Sequence, residues 1–283
     1  MQSIHLYKQL EKDFITPEMS DDWAPHMDSV ADFLSDNFKQ QSMGLVCDFA
    51  TELNKVYTAV FPSKEAMQKI LDAGAEDAML FVHHPSIWDI RKAPAVFQQM
   101  DRELLQQFKD KRISIYNLHV PLDNFSEYST SVTLARALGI EPEKRFAPYF
   151  GALCGIFGKT TLATIQDLRD KFQNTVGHDV SLYNYGNNEI QDGLVAVIAG
   201  GGNDVAMLEE IAGAGINAFV TGITVKNEHS QKAHDFAEKH KINILGGTHY
   251  STEKFACMAL VKYFEQLGLP AEFIKNTPVL EDM

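Results

Sequence analysis

The chain of 283 residues is poor in cysteine and in basic residues, and each shortage excludes a class of protein. Cys47, Cys154 and Cys257 lie far apart and form no CxxC pair, which argues against a disulfide framework and against a zinc site built from thiolates. Lysine and arginine number 25 against 38 acidic residues, so the formal charge is −13. No basic stripe is present, and nucleic acid is not an expected partner. Any metal site would have to use histidine, aspartate and glutamate.

Long apolar runs are also absent from the sequence. The longest uncharged stretch, 211–225, is interrupted by Gly, Asn and Thr and is too short to span a bilayer. The first residues, MQSIHLYKQLEKDF, lack the apolar core that is typical of a signal peptide. We therefore expect no membrane association and predict a cytoplasmic location.

Apolar runs and helical patterns alternate along the chain, which predicts an α/β class with parallel strands and crossover helices. The predicted strands cover 55–61, 77–82, 113–118, 180–185, 194–199, 218–221, 242–245 and 272–275. The predicted helices cover 3–14, 64–73, 94–111, 205–212, 230–240, 252–266 and, with Thr161 as its N-cap, 162–172.

Length and an internal similarity both predict two lobes. Segments 56–82 and 194–220 each show a strand, a turn, a helix, an Ala-Gly pair and a second strand. The similarity is either an internal repeat or the likeness that any two βαβ units share. Charges and prolines at 141–148 favour a lobe boundary there. The predicted division is 1–145 with about 245–283 for the first lobe and 146–244 for the second.

Four of the ten histidines fall into three short groups, each at the end of a predicted strand. The groups are HHP from His83, HVPLD from His119 and THYSTE from Thr248. In α/β sheets, ligands bind at the carboxyl ends of strands, so the position of these groups favours a functional site.

Each group has a functional and a structural interpretation. Adjacent residues of an extended chain point in opposite directions, so His83 and His84 could each hold one of two ions, or they could be unrelated polar residues that open a loop. Pro121 predicts a loop in the second group, where Asp123 could serve a metal site or cap a helix that begins near Tyr128.

The third group places two donors four residues apart. His249 and Glu253 would share one face if their turn is helical, and Glu253 would also suit the positive end of a helix dipole. Together the groups supply nitrogen and oxygen donors that suit zinc, iron(II) or manganese, with positions open for water. A carboxylate can bridge two such ions. The candidate metal ligands are His83, His84, Asp123, His249 and Glu253.

A glycine run follows a predicted strand and precedes a predicted helix. The amides of Gly200, Gly201 and Gly202 could hold an anion or a phosphate group, or the run could be a tight turn. The spacing matches neither a dinucleotide fingerprint nor a P-loop.

The three motifs, in this order, resemble those of the Nif-three-like dinuclear metal-centre proteins, also known as type-two GTP cyclohydrolase I. The resemblance extends over about residues 10–278 and includes LEKDF, DDWAP and GLVAVIAGGGNDVAMLEEIAGAGINAFVTG. It implies two α/β lobes of the Nif-three-like fold, with two divalent metal ions in the interlobe cleft and the glutamate shared between them. It also implies a toroidal homo-hexamer, a trimer of dimers.

The sequence departs from the family pattern beside these motifs. Ile223 follows Thr221-Gly222 where an acidic residue is usual, and Val120-Pro121 replaces polar residues. The family often places a histidine in the next helix, where His229 or His234 could contribute to catalysis. These departures leave the ligand set intact and put the substrate pocket in question.

Two functions of different kinds follow from the resemblance. A metal-dependent hydrolase would act on an unidentified small molecule of phosphorylated or nucleotide-like kind, with His119 orienting a ligand or carrying a proton. Alternatively, the chain would be a non-catalytic metal-binding scaffold, a metal chaperone or a regulatory interaction protein.

Overall fold

A computed structural model describes residues 1–88 and 97–283 of the chain. These residues divide into two compact units, and each combines helices with a β-sheet. The α/β class predicted from the alternating pattern is confirmed. The first unit contains residues 1–122 and 257–276, and the second contains residues 123–256 and 277–283.

The elements are named in chain order. The strands are β1 (Gly44–Cys47), β2 (Lys55–Ala59), β3 (Ala78–Val82), β4 (Ile87–Trp88), β5 (Phe97–Gln98), β6 (Ile113–Asn117), β7 (Glu141–Tyr149), β8 (Ala152–Lys159), β9 (Ser181–Tyr183), β10 (Leu194–Val197), β11 (Ala218–Thr221), β12 (Asn243–Gly246) and β13 (Ala271–Phe273). The α-helices are α1 (Ser3–Phe14), α2 (Asp36–Gln41), α3 (Lys64–Asp72), α4 (Arg102–Asp110), α5 (Val120–Asp123), α6 (Thr130–Ala137), α7 (Ile165–Val176), α8 (Val205–Gly213), α9 (Gln231–His240) and α10 (His249–Gln266).

The sheet of the first unit has the order β1-β6-β3-β2-β13, in which β1 is antiparallel to β6 and the other pairs are parallel. The central strand β3 is buried along its whole length, as its apolar sequence AMLFV requires. Val82 pairs with Asn117, so β3 and β6 end at the same level of the sheet. The residues that follow these two strands therefore emerge side by side.

The sheet of the second unit has the order β7-β8-β10-β11-β12-β9. The strands β10, β11 and β12 are parallel, whereas the pairs made by β7, β8 and β9 are antiparallel. Apolar residues from both faces fill the cores of this unit, with Phe172 and Phe219 among the largest buried side chains. Burial of such a side chain contributes about 1.5–3 kcal/mol.

The segment predicted as a lobe boundary is strand β7, at the edge of the second sheet. Pro142 and Pro148 are accommodated because an edge strand has unpaired amide positions, while Phe146 is buried in the core. The boundary lies between Leu122 and Asp123, and the chain returns to the first unit at Cys257. The division near 145 and 245 predicted from composition therefore differs from the observed one.

Helix boundaries follow the capping chemistry. Helix α7 begins after Thr164, whose hydroxyl accepts from the amide of Asp167, rather than after Thr161 as predicted. The helix predicted over 94–111 is confined to α4, which Asp101 caps, and residues 94–96 lie outside the described residues. Within 1–88 and 97–283, no helix combines the length and apolar character needed to cross a membrane.

Candidate metal centre

His83 and His84 follow β3 in the first unit and are both buried. Their amides donate to the carbonyls of Ala59 and Val60, which fixes the backbone of the pair. The ring centroids are 4.3 Å apart. The expectation that the two side chains point in opposite directions is wrong, because the regular strand ends at Val82 and the alternation ends with it.

The imidazole of His83 is oriented by a backbone carbonyl. Its Nδ1 lies 3.0 Å from the oxygen of Leu118, the residue that follows β6. A carbonyl oxygen can only accept, so Nδ1 carries the proton and Nε2 carries the lone pair. Metal-binding histidines typically donate their second ring nitrogen to a carbonyl or carboxylate in this way.

His119, which comes just after β6, is oriented by a carboxylate. Its Nδ1 lies 2.9 Å from Oδ2 of Asp21, and the Asp21 side chain is only 1% exposed. The indole Nε1 of Trp23 lies 3.0 Å from the same nitrogen. One ring nitrogen cannot donate to Asp21 and accept from Trp23 at once. The charge-assisted bond to the carboxylate is the stronger, so we assign the proton to Nδ1.

The three imidazoles of the first unit form one cluster. Each of His83, His84 and His119 offers a ring nitrogen, and these atoms lie within 4.8 Å of one another. Phe61 stacks on His84 with 4.9 Å between centroids, and Trp23 packs edge-on against both His84 and His119. Imidazoles held together beside aromatic side chains suit a borderline divalent cation such as zinc or iron(II).

The donors of the third motif meet within the second unit. Nε2 of His249 lies 3.1 Å from Oε1 of Glu253, and both side chains are buried. Helix α10 begins at His249 rather than at Thr252, because Thr248 and Ser251 exchange hydrogen bonds between side chain and amide as a capping box. The spacing of four therefore places both donors on one helical face, as the sequence predicts for a helical turn.

Asp123 ends the short helix α5 and is also buried. Its Oδ1 accepts a hydrogen bond of 2.6 Å from the hydroxyl of Thr130. The N-cap of α6 is Ser129, so the alternative that Asp123 caps this helix is wrong. The loop predicted from Pro121 is also wrong, since proline is tolerated in the first turn of a helix, where its missing amide proton has no partner to lose.

The glycine run connects β10 with α8. The amide of Gly200 donates to the hydroxyl of Thr252, and its carbonyl accepts from Gly222. The N-cap of α8 is Asp204, whose carboxylate accepts from the amide of Ala206. These two hydrogen bonds of Gly200 indicate that its loop passes close to Gly222 and to the start of α10. The anion-binding role of Gly200, Gly201 and Gly202 stays a prediction.

His234 is buried in α9 and both of its ring nitrogens are engaged. Nε2 lies 2.9 Å from the carbonyl oxygen of Thr224, and Nδ1 lies 3.0 Å from the hydroxyl of Tyr185. Burial lowers the pKa of His234, which favours the neutral ring. His229, by contrast, has a side chain that is 53% exposed. A catalytic role for either histidine stays a prediction.

Sequence reasoning did not identify Asp21 or Trp23 as neighbours of the cluster. Asp21 is 98 residues from His119 in the chain, so no local spacing links them. Cys257 is fully buried, and its Sγ lies 3.3 Å from the carbonyl oxygen of Ala59.

Comparisons with known proteins agree with the motifs. A protein of Archaeoglobus fulgidus named GTP cyclohydrolase 1 type 2 homolog is 29% identical over 248 residues, which cover 86% of this chain and 93% of that protein. Among solved structures, ybgI, a protein of unknown function, has a TM-score of 0.74 at 21% identity and covers 99% of this chain and 100% of its own. A Thermus thermophilus protein has a TM-score of 0.70 at 20% identity, with coverage of 99% and 100%.

The structural similarities, at these identities, establish the fold. A family model described as Duf34/NIF3 (NGG1p interacting factor 3) matches residues 21–278. The resemblance expected from the motifs is thereby confirmed: this chain belongs to the Duf34/NIF3 family.

Proposed function

We propose that this chain is a metal-dependent hydrolase with a dinuclear centre. The observation that carries the proposal is the hydrogen bond from Nδ1 of His83 to the Leu118 carbonyl, which leaves Nε2 with its lone pair beside two other buried imidazoles. The name GTP cyclohydrolase 1 type 2 homolog, borne by the Archaeoglobus fulgidus relative, supports a hydrolytic reaction. The proposed ligands of the two ions are His83, His84, Asp123, His249 and Glu253.

The donor types fit divalent zinc, iron or manganese. When bound, such ions lower the pKa of a coordinated water and stabilise developing negative charge. A buried carboxylate such as Glu253 is costly unless it is paired or holds a metal, and its contact with His249 brings two donor atoms to 3.1 Å. Asp123, buried and held by Thr130, is oriented in the same way.

The proposed substrate is a small phosphorylated or nucleotide-like molecule. The formal charge of −13 would repel an anion at long range, whereas two bound cations would make the site locally positive. The backbone amides of Gly201 and Gly202, in the glycine run, are candidates for contact with a phosphate group. The proposal also includes a cytoplasmic location.

Turnover by the metal-loaded protein tests this function. We expect a panel of nucleoside triphosphates and phosphate esters to include a substrate whose hydrolysis requires metal. The rate should fall at least about 100-fold in Asp123→Asn and Glu253→Gln, because each removes a charged donor. Glu228→Gln, which alters an exposed carboxylate, is the matched control.

Two results would contradict the hydrolase. Wild-type rates in both ligand variants would show that the reaction does not use this centre. Metal binding without turnover on any member of the panel would favour the non-catalytic scaffold, metal chaperone or regulatory protein instead.

The proposed assembly is a homo-hexamer built as a trimer of dimers. Native mass spectrometry should then give a mass six times the 31.7 kDa of one chain. A monomer that persists at micromolar concentration would contradict this part of the proposal.

A further inference from the structure

The Asp21 carboxyl group is an unusual feature of the first unit because an acidic side chain is almost completely buried there. Its side chain is 1% exposed, and Oδ2 lies 2.9 Å from Nδ1 of His119. Oδ1 accepts from the amide of Asp22 at 3.0 Å. Burying a carboxylate costs several kcal/mol unless it is paired, so a specific partner is expected, and the imidazole is that partner.

The pairing determines which nitrogen of His119 can bind a cation. With the proton on Nδ1 and donated to Asp21, Nε2 carries the lone pair. Trp23 packs edge-on against the ring with 5.2 Å between centroids, which restricts its rotation. His119 is thus held in one orientation and one tautomer.

The same arrangement is present at His83, where the Leu118 carbonyl takes the place of the carboxylate. In both rings the lone pair therefore lies on Nε2. The His119 centroid lies 5.3 Å from that of His83 and 4.8 Å from that of His84. Ligand atoms of all three rings lie within 4.8 Å of one another, a span that one cation can bridge with small side-chain adjustments.

We infer that His119 binds a divalent cation directly through Nε2, as a third imidazole beside His83 and His84, and that Asp21 is its positioning residue. The inference rests on the proposed metal centre and adds a ligand to it. A carboxylate that orients a metal-bound imidazole also raises its basicity, and loss of such a partner typically weakens metal binding about 10–100-fold.

Cobalt(II) binding to the chelator-treated full chain tests the inference without any substrate. Affinity is measured by calorimetry, and coordination by the visible absorption of the bound ion. Asp21→Asn and His119→Ala should each weaken binding about 10–100-fold. The double variant should bind no more weakly than His119→Ala, because Asp21 acts only through this ring. Asp22→Asn, which removes the neighbouring exposed carboxylate, should bind as the wild type does.

A measurement on the unmutated chain covers the case in which a variant does not fold. Nitrogen-15 spectra of labelled histidine should show His119 protonated at Nδ1 in the metal-free protein, and its Nε2 resonance should shift when zinc is added. A proton on Nε2, or an Nε2 resonance that zinc leaves unchanged, would overturn the inference.

The outcomes separate this inference from the proposed function. Wild-type affinity in His119→Ala, with binding lost in His83→Ala, would overturn the role of His119 alone. Wild-type affinity in Asp21→Asn would overturn the positioning role of Asp21. Losses that add in the double variant would overturn the positioning role of Asp21. A wild-type chain that binds no cobalt would overturn the proposed centre and this inference together.

Discussion

The buried imidazoles differ in the partners of their ring nitrogens, and the partners decide what each ring can do. His83 and His119 each use Nδ1 to donate to a fixed oxygen, which places the lone pair on Nε2. His234 uses both, since it donates to the Thr224 carbonyl and accepts from the Tyr185 hydroxyl. We therefore interpret His234 as a neutral structural link between α9 and the loop that follows β11.

This interpretation predicts a pH dependence of stability. Burial lowers the pKa of His234 below its ordinary value of 6.5, so the unfolded chain takes up the proton more readily than the folded chain. The contribution is complete above pH 6.5 and is lost as the pH falls through the folded pKa. The His234→Gln variant should be about 1–2 kcal/mol less stable at neutral pH, because one amide cannot replace both hydrogen bonds.

Urea denaturation at about pH 7.5 and about pH 5.5, on either side of the ordinary histidine pKa, measures this effect. Stability of His234→Gln should fall less between the two values than stability of the wild type. The matched control is His240→Gln, which removes an exposed imidazole from the same helix. An identical fall in wild type and His234→Gln would contradict the interpretation.

At the scale of elements, the start of helix α10 is held by two glycine-containing loops. Gly222, which follows β11, donates to the carbonyl of Gly200, and the amide of Gly200 donates to Thr252 on the helix. Glu253 is the next residue of the helix. A close crossing of backbone therefore supports the turn that carries two proposed ligands.

The crossing leaves no space for a side chain at Gly222. A Cβ there would lie 2.6 Å from the Gly200 carbonyl oxygen and would also collide with the Thr252 hydroxyl. Gly222→Ala should therefore cost about 1–3 kcal/mol of unfolding free energy. The control is Gly213→Ala at the end of α8, where a Cβ meets nothing within 4 Å and the change should be neutral or slightly stabilising.

Chemical denaturation of the two alanine variants measures their unfolding free energies. Equal stability of Gly222→Ala and Gly213→Ala would show that the crossing is not tightly packed.

Sequence periodicity predicted the elements that are apolar throughout or amphipathic. Strand β3 and helix α1 are examples, since burial on both faces or on one stripe leaves a clear pattern. Strand β7 was missed because it is an edge strand, and its exposed residues EPEKR resemble a linker. The start of α10 was misplaced because it depends on a capping box of two hydroxyl residues rather than on an apolar stripe.

At the scale of the whole molecule, the sequence predicted the candidate donors but not how they are held. His83, His84 and His119 were recognised because they follow strands that a parallel sheet brings together. The hydrogen bond between Asp21 and His119 could not be predicted, since it depends on the tertiary path of a segment without regular strand or helix pattern. Relative orientation of ligating groups is a property of the folded chain.

Metal content per chain is the sharpest test of the proposed dinuclear centre. Elemental mass spectrometry is applied to untagged protein purified without chelator, beside the double variant His83→Ala/Glu253→Ala and the control His5→Ala, which changes an exposed histidine on α1. A dinuclear centre predicts about two zinc, iron or manganese ions per chain in wild type and control, and loss of metal from the double variant. No metal in the wild type, even after reconstitution, would contradict it.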